Sequence, residues 1–151
     1  MLRLRLVNES NFEDVVDLSV SRSDERRLAP NAYSLAQAWL YRDSGEIFPY
    51  AVEVSNQVVG FVLLWKKVAF GEYFIWRLMI DQQYQNKGYG NETLRQIIQM
   101  ATSDVGYDTV TASYVMGNHR MRGMLSRLGF EMVGVADNEI TMALHLNEKR
   151  R

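Results

Sequence analysis

The chain has 151 residues and a mass of 17.5 kDa, which suits a single globular domain without an internal linker. With no cysteine and only two histidines, it has no disulfide, no thiolate zinc site, no cysteine nucleophile and no His-rich metal site. No apolar run reaches the roughly 18 residues of a membrane helix, and a net charge of -1 argues against a nucleic-acid partner, so we expect a cytoplasmic protein without a membrane or nucleic-acid partner.

The first third of the chain predicts one strand and two helices. Apolar and polar residues alternate strictly over 1–7, which indicates a half-buried strand. Capping-box patterns at Ser10–Glu13 and Ser34–Gln37 predict the starts of two helices, the first of which runs to about Ser21. A charged loop over 22–29 separates the two helices.

The middle of the chain predicts a hairpin and then a central strand. The β-rich runs 49–54 and 58–65 flank the turn signal 55–57. The run from Tyr73 to Asp81 is almost continuously apolar, which is typical of a strand covered on both faces. A polar, glycine-containing loop follows over 82–90 and ends this strand.

The last third predicts two helices that alternate with strands. An apolar stripe from Leu94 to Ala101 indicates one helix, and a second begins at Asn118 and stops at Gly129. A strand is predicted over 109–115, and a final hairpin pairs 130–135 with 139–146.

The element order β-α-α-β-β-β-α-β-α-β-β predicts an α+β fold. We expect a mixed, largely antiparallel sheet with a central parallel strand–helix–strand unit from Tyr73 to Val115. The predicted domain spans 1–146, and 147–151 form a short basic C-terminal tail.

The most informative segment is Gln85-Asn86-Lys87-Gly88-Tyr89-Gly90, between the central strand and a helix. Glycines allow left-handed backbone conformations, so successive N–H groups can point into one concavity at the positive end of the helix dipole. Such a site binds phosphate or pyrophosphate. The segment lacks the Gly-Lys-Ser/Thr of a Walker A loop, and Thr93 replaces the third glycine of a dinucleotide-binding fingerprint.

Together with its context, this loop resembles that of the GNAT superfamily of acetyl-CoA-dependent N-acetyltransferases. The Gln-x-x-Gly-x-Gly loop follows an apolar strand and opens a helix, and Asn118 begins a later helix that ends in Leu128-Gly129-Phe130. The order of elements matches that superfamily along nearly the whole chain. The stretch from Phe74 to Gly90 is also similar to bacterial spermine/spermidine acetyltransferases.

The resemblance implies acetyl-CoA as co-substrate and a set of residues that bind it. The amides of the loop would hold the pyrophosphate, and a bulged central strand would pair with the pantetheine arm and polarise the thioester carbonyl through a backbone N–H. Asn118 would contact the pantetheine, and Arg120 and Arg122 are candidates for the 3′-phosphate. The implied cofactor-binding residues are Leu78, Met79, Ile80, Gln85, Asn86, Lys87, Gly88, Tyr89, Gly90 and Asn118.

Acetyl transfer needs a neutral amine, so a base must remove a proton from an alkylammonium of pKa about 10.4. Glu72, just before the central strand, is the first candidate and Glu53 the second, although each is also an ordinary surface carboxylate. His119 and His145 are weaker candidates.

The sequence departs from the superfamily pattern at two positions. Leu125 stands where the family usually has a tyrosine that protonates the departing thiolate. Another group or water then protonates the thiolate, the thiolate of pKa about 8.5 leaves by itself, or activity is weak or absent. Trp76 stands where polyamine-acetylating relatives tend to have an acid. It is either a core residue or an aromatic wall for a cationic substrate.

The leading hypothesis is an enzyme that acetylates a small cationic amine, such as spermidine or spermine, by direct attack in a ternary complex. Five acids could surround such a substrate: Asp24, Glu25, Asp43, Glu46 and Glu72. The alternatives are an acetyltransferase for amino-acid, aminoglycoside or protein N-terminal amines, a non-catalytic acetyl-CoA-binding module, and an interaction domain without a CoA site. Homodimerisation, through the final strands or through an edge strand, is left open.

Overall fold

A seven-stranded sheet organises the chain, and the computed structural model describes residues 1–19 and 30–146 of it. The strands lie in the order β1-β2-β3-β4-β5-β7-β6, and only β4 and β5 are parallel neighbours. This confirms the predicted mixed sheet and its central parallel unit. The strands are β1 (Leu2–Leu6), β2 (Ile47–Val54), β3 (Gln57–Lys67), β4 (Glu72–Ile80), β5 (Thr109–Val115), β6 (Glu131–Ala136) and β7 (Glu139–His145).

Four α-helices of the described residues cover the two faces of the sheet, and each face has its own apolar cluster. The helices are α1 (Phe12–Val16), α2 (Asn31–Leu40), α3 (Tyr89–Ser103) and α4 (His119–Arg127). Leu94 of α3 and Leu125 of α4 are fully buried in the larger cluster. Val15 of α1 packs with Phe61 and Met79 in the smaller one.

The sheet forks at its centre, next to a bulge in β4. Leu63 of β3 lies opposite Arg77 and Leu64 opposite Ile75, so Trp76 is the extra residue of the bulge. The pairing of β4 with β5 covers only Glu72–Ile75 and Thr109–Ala112. Beyond Ile75, the side of β4 that faces β5 therefore has no partner strand among the residues that the structure describes.

Turn chemistry explains the tight hairpins. The β2–β3 connection uses Ser55 and Asn56 with φ of 51° and 65°, as a type I′ turn requires, and Asp137 of the β6–β7 turn has φ of 54°. Both predicted hairpins are confirmed.

Both predicted capping boxes are wrong. The N-cap of α1 is Asn11, whose side chain makes no capping bond, because its Oδ1 accepts from the Asn8 amide at 2.8 Å. Helix α2 begins at Asn31, after Pro30, so Ser34 lies inside the helix. Its side chain points to the sheet and is buried, and it cannot cap a helix start.

Three predictions fall outside the described residues: the end of the first helix near Ser21, the loop over 22–29 with Asp24 and Glu25, and the tail over 147–151. None of the helices within 1–19 and 30–146 has the length and apolarity to span a bilayer.

Candidate active site

A cavity of about 340 Å³ opens where β4 and β5 diverge, between the loop that follows β4 and the first turns of α3 and α4. Its position follows from the fork, because strands that separate leave a gap that neither sheet nor helix fills. The lining residues are Leu78, Met79, Ile80, Tyr84, Gln85, Asn86, Gly88, Tyr89, Gly90, Asn91, Asn118, Arg120, Met121, Met124 and Arg127.

The loop at the mouth of the cavity has the backbone geometry that the sequence predicts. Asn86 and Gly88 have φ of 66° and 85°, and Gly88 is the N-cap of α3. A Cβ on Gly88 would meet nothing, so the left-handed φ is what favours glycine there. A Cβ on Gly90 would lie 3.1 Å from Met124 Sδ, so this glycine allows α3 to approach α4 closely. The N–H groups of the first turn of α3, which have no partner within the helix, thus lie at the cavity and can bind an anion there.

Polar side chains tie the loop to the elements on both sides of the cavity. Gln85 Nε2 donates to the Ile80 carbonyl at 2.9 Å, and Gln85 Oε1 accepts from Arg120 Nη1. Asn118 Oδ1 caps α4 by accepting from the Met121 amide at 3.2 Å. This bond occupies the side-chain oxygen of Asn118 and orients the side-chain NH2 group at the wall of the cavity.

Among the described residues, four buried side-chain polar atoms have no hydrogen-bond partner: Ser34 Oγ, Gln37 Oε1, Arg77 Nε and Asn91 Oδ1. Buried polar atoms are usually paired, so each calls for an explanation. Asn91 lines the cavity, where its oxygen can accept from a ligand N–H. The others lie on α2 and in the bulged part of β4, on the opposite face of the sheet.

The cavity therefore fits a CoA thioester in three respects. A helix N-terminus and two left-handed residues suit the pyrophosphate. The unpaired edge of β4 at 78–80 suits an extended amide chain, which adds to a sheet as a strand does. The unpaired oxygen of Asn91 suits an amide or amino donor.

Of the predicted cofactor-binding residues, nine line the cavity and one does not. Lys87 is exposed on the outside of the loop. Six lining residues were not among those ten: Tyr84, Asn91, Arg120, Met121, Met124 and Arg127, of which Arg120 was predicted separately as a candidate for the 3′-phosphate. The stripe of α4 predicts that Met121 and Met124 face inward, but periodicity does not distinguish a core wall from a cavity wall. Nothing in the sequence marks Tyr84 or Asn91.

The predicted base, Glu72, does not line the cavity. It begins β4 and accepts a hydrogen bond from Thr111 Oγ1 of β5. Leu78 lies six positions further along β4, a distance of about 20 Å at the rise of a strand. Glu72 shares a face with Phe74, two residues further along, so its carboxylate lies on the α1–α2 side of the sheet.

The weaker candidates do not line the cavity either. Glu53 of β2 forms an ion pair with Arg5 of the edge strand β1, with Oε1 and Nε 3.0 Å apart. His119 and His145 are exposed. Leu125 is fully buried in the core, so its position supplies packing and no acid.

The fold so described is that of a GNAT acetyltransferase. The family model for the acetyltransferase (GNAT) domain matches residues 1–131, and the chain belongs to this family. It is an N-acetyltransferase, with acetyl-CoA as its co-substrate.

Solved structures share the fold at low sequence identity. The ribosomal L7/L12 alpha-N-protein acetyltransferase RimL, solved with coenzyme A, is 14% identical with a TM-score of 0.79, over 96% of this chain and 94% of that one. Spermidine N-acetyltransferase from Vibrio cholerae, solved with CoA and spermine, is 12% identical with a TM-score of 0.76, over 95% of each chain. A GNAT-family acetyltransferase from Bacillus cereus is 16% identical with a TM-score of 0.70, over 98% and 99%. Among curated proteins, no sequence matches significantly.

Proposed function

We propose that this enzyme acetylates a primary amine of a small polycation, such as spermidine or spermine, by direct attack in a ternary complex. The observation that carries the proposal is the fork in the sheet: the cavity opens there, and the bulge residue beside it, Trp76, packs against the rings of Trp65 and Phe74 on the α1–α2 side. The two substrates can therefore meet at the bulge from opposite faces. The solved complex of the Vibrio cholerae enzyme with CoA and spermine supports the class of acceptor.

Each predicted binding residue has a role in this proposal. The loop 85–90 and the N-terminus of α3 bind the pyrophosphate of acetyl-CoA, with Lys87 adding positive charge from outside the cavity. The backbone of Leu78, Met79 and Ile80 pairs with the pantetheine arm and polarises the thioester carbonyl. Asn118 orients the arm through its amide group.

Proton removal is the step that the geometry constrains most. We propose Glu72 as the base, which receives the proton through a chain of several waters along the acceptor face of β4, because it lies too far from Leu78 for direct transfer or for transfer through one water. The thiolate of CoA leaves without a dedicated acid and takes its proton from water, since Leu125 is an apolar core residue.

Thiol release from acetyl-CoA tests the proposed function. We expect a spermidine-dependent rate above a no-amine control, rising from mildly acidic to alkaline pH as the amine loses its proton. A panel with an amino acid, an aminoglycoside and a peptide N-terminus covers the other acceptor classes. Release with one of these and none with spermidine would contradict the polycation assignment, and binding of acetyl-CoA without release would support a non-catalytic module.

The proposal also includes a cellular location and an oligomeric state for the protein. A chain without cysteine needs no oxidising compartment, and we propose a cytoplasmic location. A homodimer, through the final strands or through an edge strand, stays a prediction, and sedimentation velocity at several concentrations tests whether it forms.

A further inference from the structure

Four aromatic side chains form one cluster on the α1–α2 side of the sheet, centred on the bulge residue Trp76. Its ring lies 5.5 Å from that of Trp65, 6.1 Å from that of Tyr41 and 6.5 Å from that of Phe74. Trp65 and Phe74 are cross-strand partners, with ring centroids 6.4 Å apart. We call Tyr41, Trp65, Phe74 and Trp76 the aromatic cluster.

The protein itself places a primary ammonium on this cluster. Lys67 Nζ lies 4.5 Å from the ring centroids of both Trp65 and Phe74, within the range of a cation–π interaction. No carboxylate pairs with Lys67 in the part of the chain that the structure describes. The two rings are thus the partners of this ammonium.

The surroundings of the cluster favour a cation further. Trp65 Nε1 donates to Glu46 Oε1 at 3.1 Å, which holds a carboxylate at the edge of the indole. Glu72 is the cross-strand partner of Lys67. Both acids lie beside rings whose faces are already electron-rich.

The cluster is also at a suitable distance from the reacting centre. Only Arg77 lies between Trp76 and Leu78, which are therefore at most about 7 Å apart along the strand. Three or four methylene groups separate neighbouring nitrogens of spermidine, a comparable span. One nitrogen at the thioester would therefore leave the next one over Trp76.

We infer that the aromatic cluster binds the non-reacting ammonium of the acceptor and that Lys67 competes for the same ring faces. This inference rests on the proposed function, whose acceptor it makes specific: a diamine or longer polyamine binds better than a monoamine. Lys67 is a specificity-determining residue, because its ammonium must move aside before the acceptor can use Trp65 and Phe74.

Binding of spermidine and of propylamine, measured by isothermal titration calorimetry on the full chain, tests this inference without requiring turnover. In Lys67→Met we expect spermidine to bind at least threefold more tightly, with little change for propylamine. Lys66→Met is the matched control, since it removes the same charge from the adjacent residue, whose ammonium lies over Phe48 and Tyr73.

Variants of the rings complete the test. We expect Trp76→Leu to weaken spermidine binding about tenfold, and Tyr41→Leu to weaken it several-fold. Tyr41 is 49% exposed at the end of α2, so its substitution leaves the fold intact even if that of Trp76 does not. Equal effects of Lys66→Met and Lys67→Met, normal spermidine affinity in Tyr41→Leu, or no spermidine binding at all would overturn the inference. Release of thiol with propylamine would show that the acetyltransferase assignment stands nonetheless.

Discussion

At the scale of single residues, the glycine at the N-cap of α3 gives the most direct test of the cofactor site. Gly88→Glu places a negative side chain where we expect the pyrophosphate, and we predict at least tenfold weaker acetyl-CoA binding, or about 1.4 kcal/mol. Gly45→Glu is the control, because Gly45 also has a positive φ, of 70°, and open space around its Cβ, but lies on the surface away from the cavity. Titration calorimetry of acetyl-CoA with both variants separates the effect of charge at the site from that of backbone strain. Equal acetyl-CoA affinities of the two variants would contradict the assignment of the pyrophosphate site.

The carboxylate of Glu72 carries the second residue-level prediction. Glu72→Gln keeps the side-chain shape and a hydrogen bond to Thr111 but removes the base. We expect kcat to fall by about 100-fold near neutral pH, the usual effect of losing a general base, and the loss to shrink as pH approaches the pKa of the amine. A pH profile parallel to that of the wild type, with undiminished kcat, would leave Glu72 only a structural link between β4 and β5.

The unpaired hydroxyl of Ser34 predicts an effect on stability. Ser34 is 1% exposed inside α2 and its Oγ has no partner among the described residues. Because an unpaired buried hydroxyl is unfavourable and alanine is the better helix former, Ser34→Ala should raise the free energy of unfolding by about 0.5–1 kcal/mol. Thr93→Val is the contrasting case, since Thr93 Oγ1 donates to the Tyr89 carbonyl at 2.8 Å. In urea unfolding, the free energy of unfolding should rise for Ser34→Ala and fall for Thr93→Val. A lower free energy of unfolding for Ser34→Ala would refute the prediction.

At the scale of secondary-structure elements, a buried tyrosine joins β4 to the end of α3. Tyr73 Oη donates to Asp104 Oδ2 at 2.6 Å. Burial, and then the bond to Asp104, raise the pKa of Tyr73 well above its usual value. Since the unfolded chain loses this proton first, the contribution of Tyr73 to stability is complete below about pH 10 and falls as pH rises further.

Tyr73→Phe tests this link between β4 and α3. We expect the variant to lose roughly 1–2 kcal/mol at neutral pH through the missing hydrogen bond. Above pH 10 its stability should fall less steeply than that of the wild type. Urea unfolding as a function of pH measures both effects, and identical alkaline slopes would show that Tyr73 does not contribute to this pH dependence.

At the scale of the whole molecule, the sequence was sufficient for the strand order along the chain, because alternating and continuous apolar runs mark strands directly. It was sufficient for the start of α4 at Asn118, but not for the starts of α1 and α2. The capping-box pattern at Ser34 is local, whereas the start of α2 at Asn31 depends on which face packs against β4, where Asn31 Nδ2 contacts Met79 Sδ at 3.6 Å.

The residues of the candidate site likewise include some that the sequence could predict and some that it could not. The loop at 85–90 was predictable, since residues with a left-handed backbone between a strand and a helix are often glycines, which are visible in the sequence. The wall formed by Tyr84, Asn91 and Arg127 was not, because it depends on how far α4 lies from α3. The aromatic cluster joins α2 to β3 and β4, so it too exists only in the folded chain.

Mass spectrometry of a reaction with acetyl-CoA and spermidine tests the central claim, direct acetyl transfer to a polycationic amine in a ternary complex. We predict acetylated spermidine in amounts equal to the CoA released, and an unchanged intact mass of the protein when acetyl-CoA is added alone. An acetylated protein that forms and decays on addition of amine, or release of CoA without any acetylated spermidine, would contradict the account.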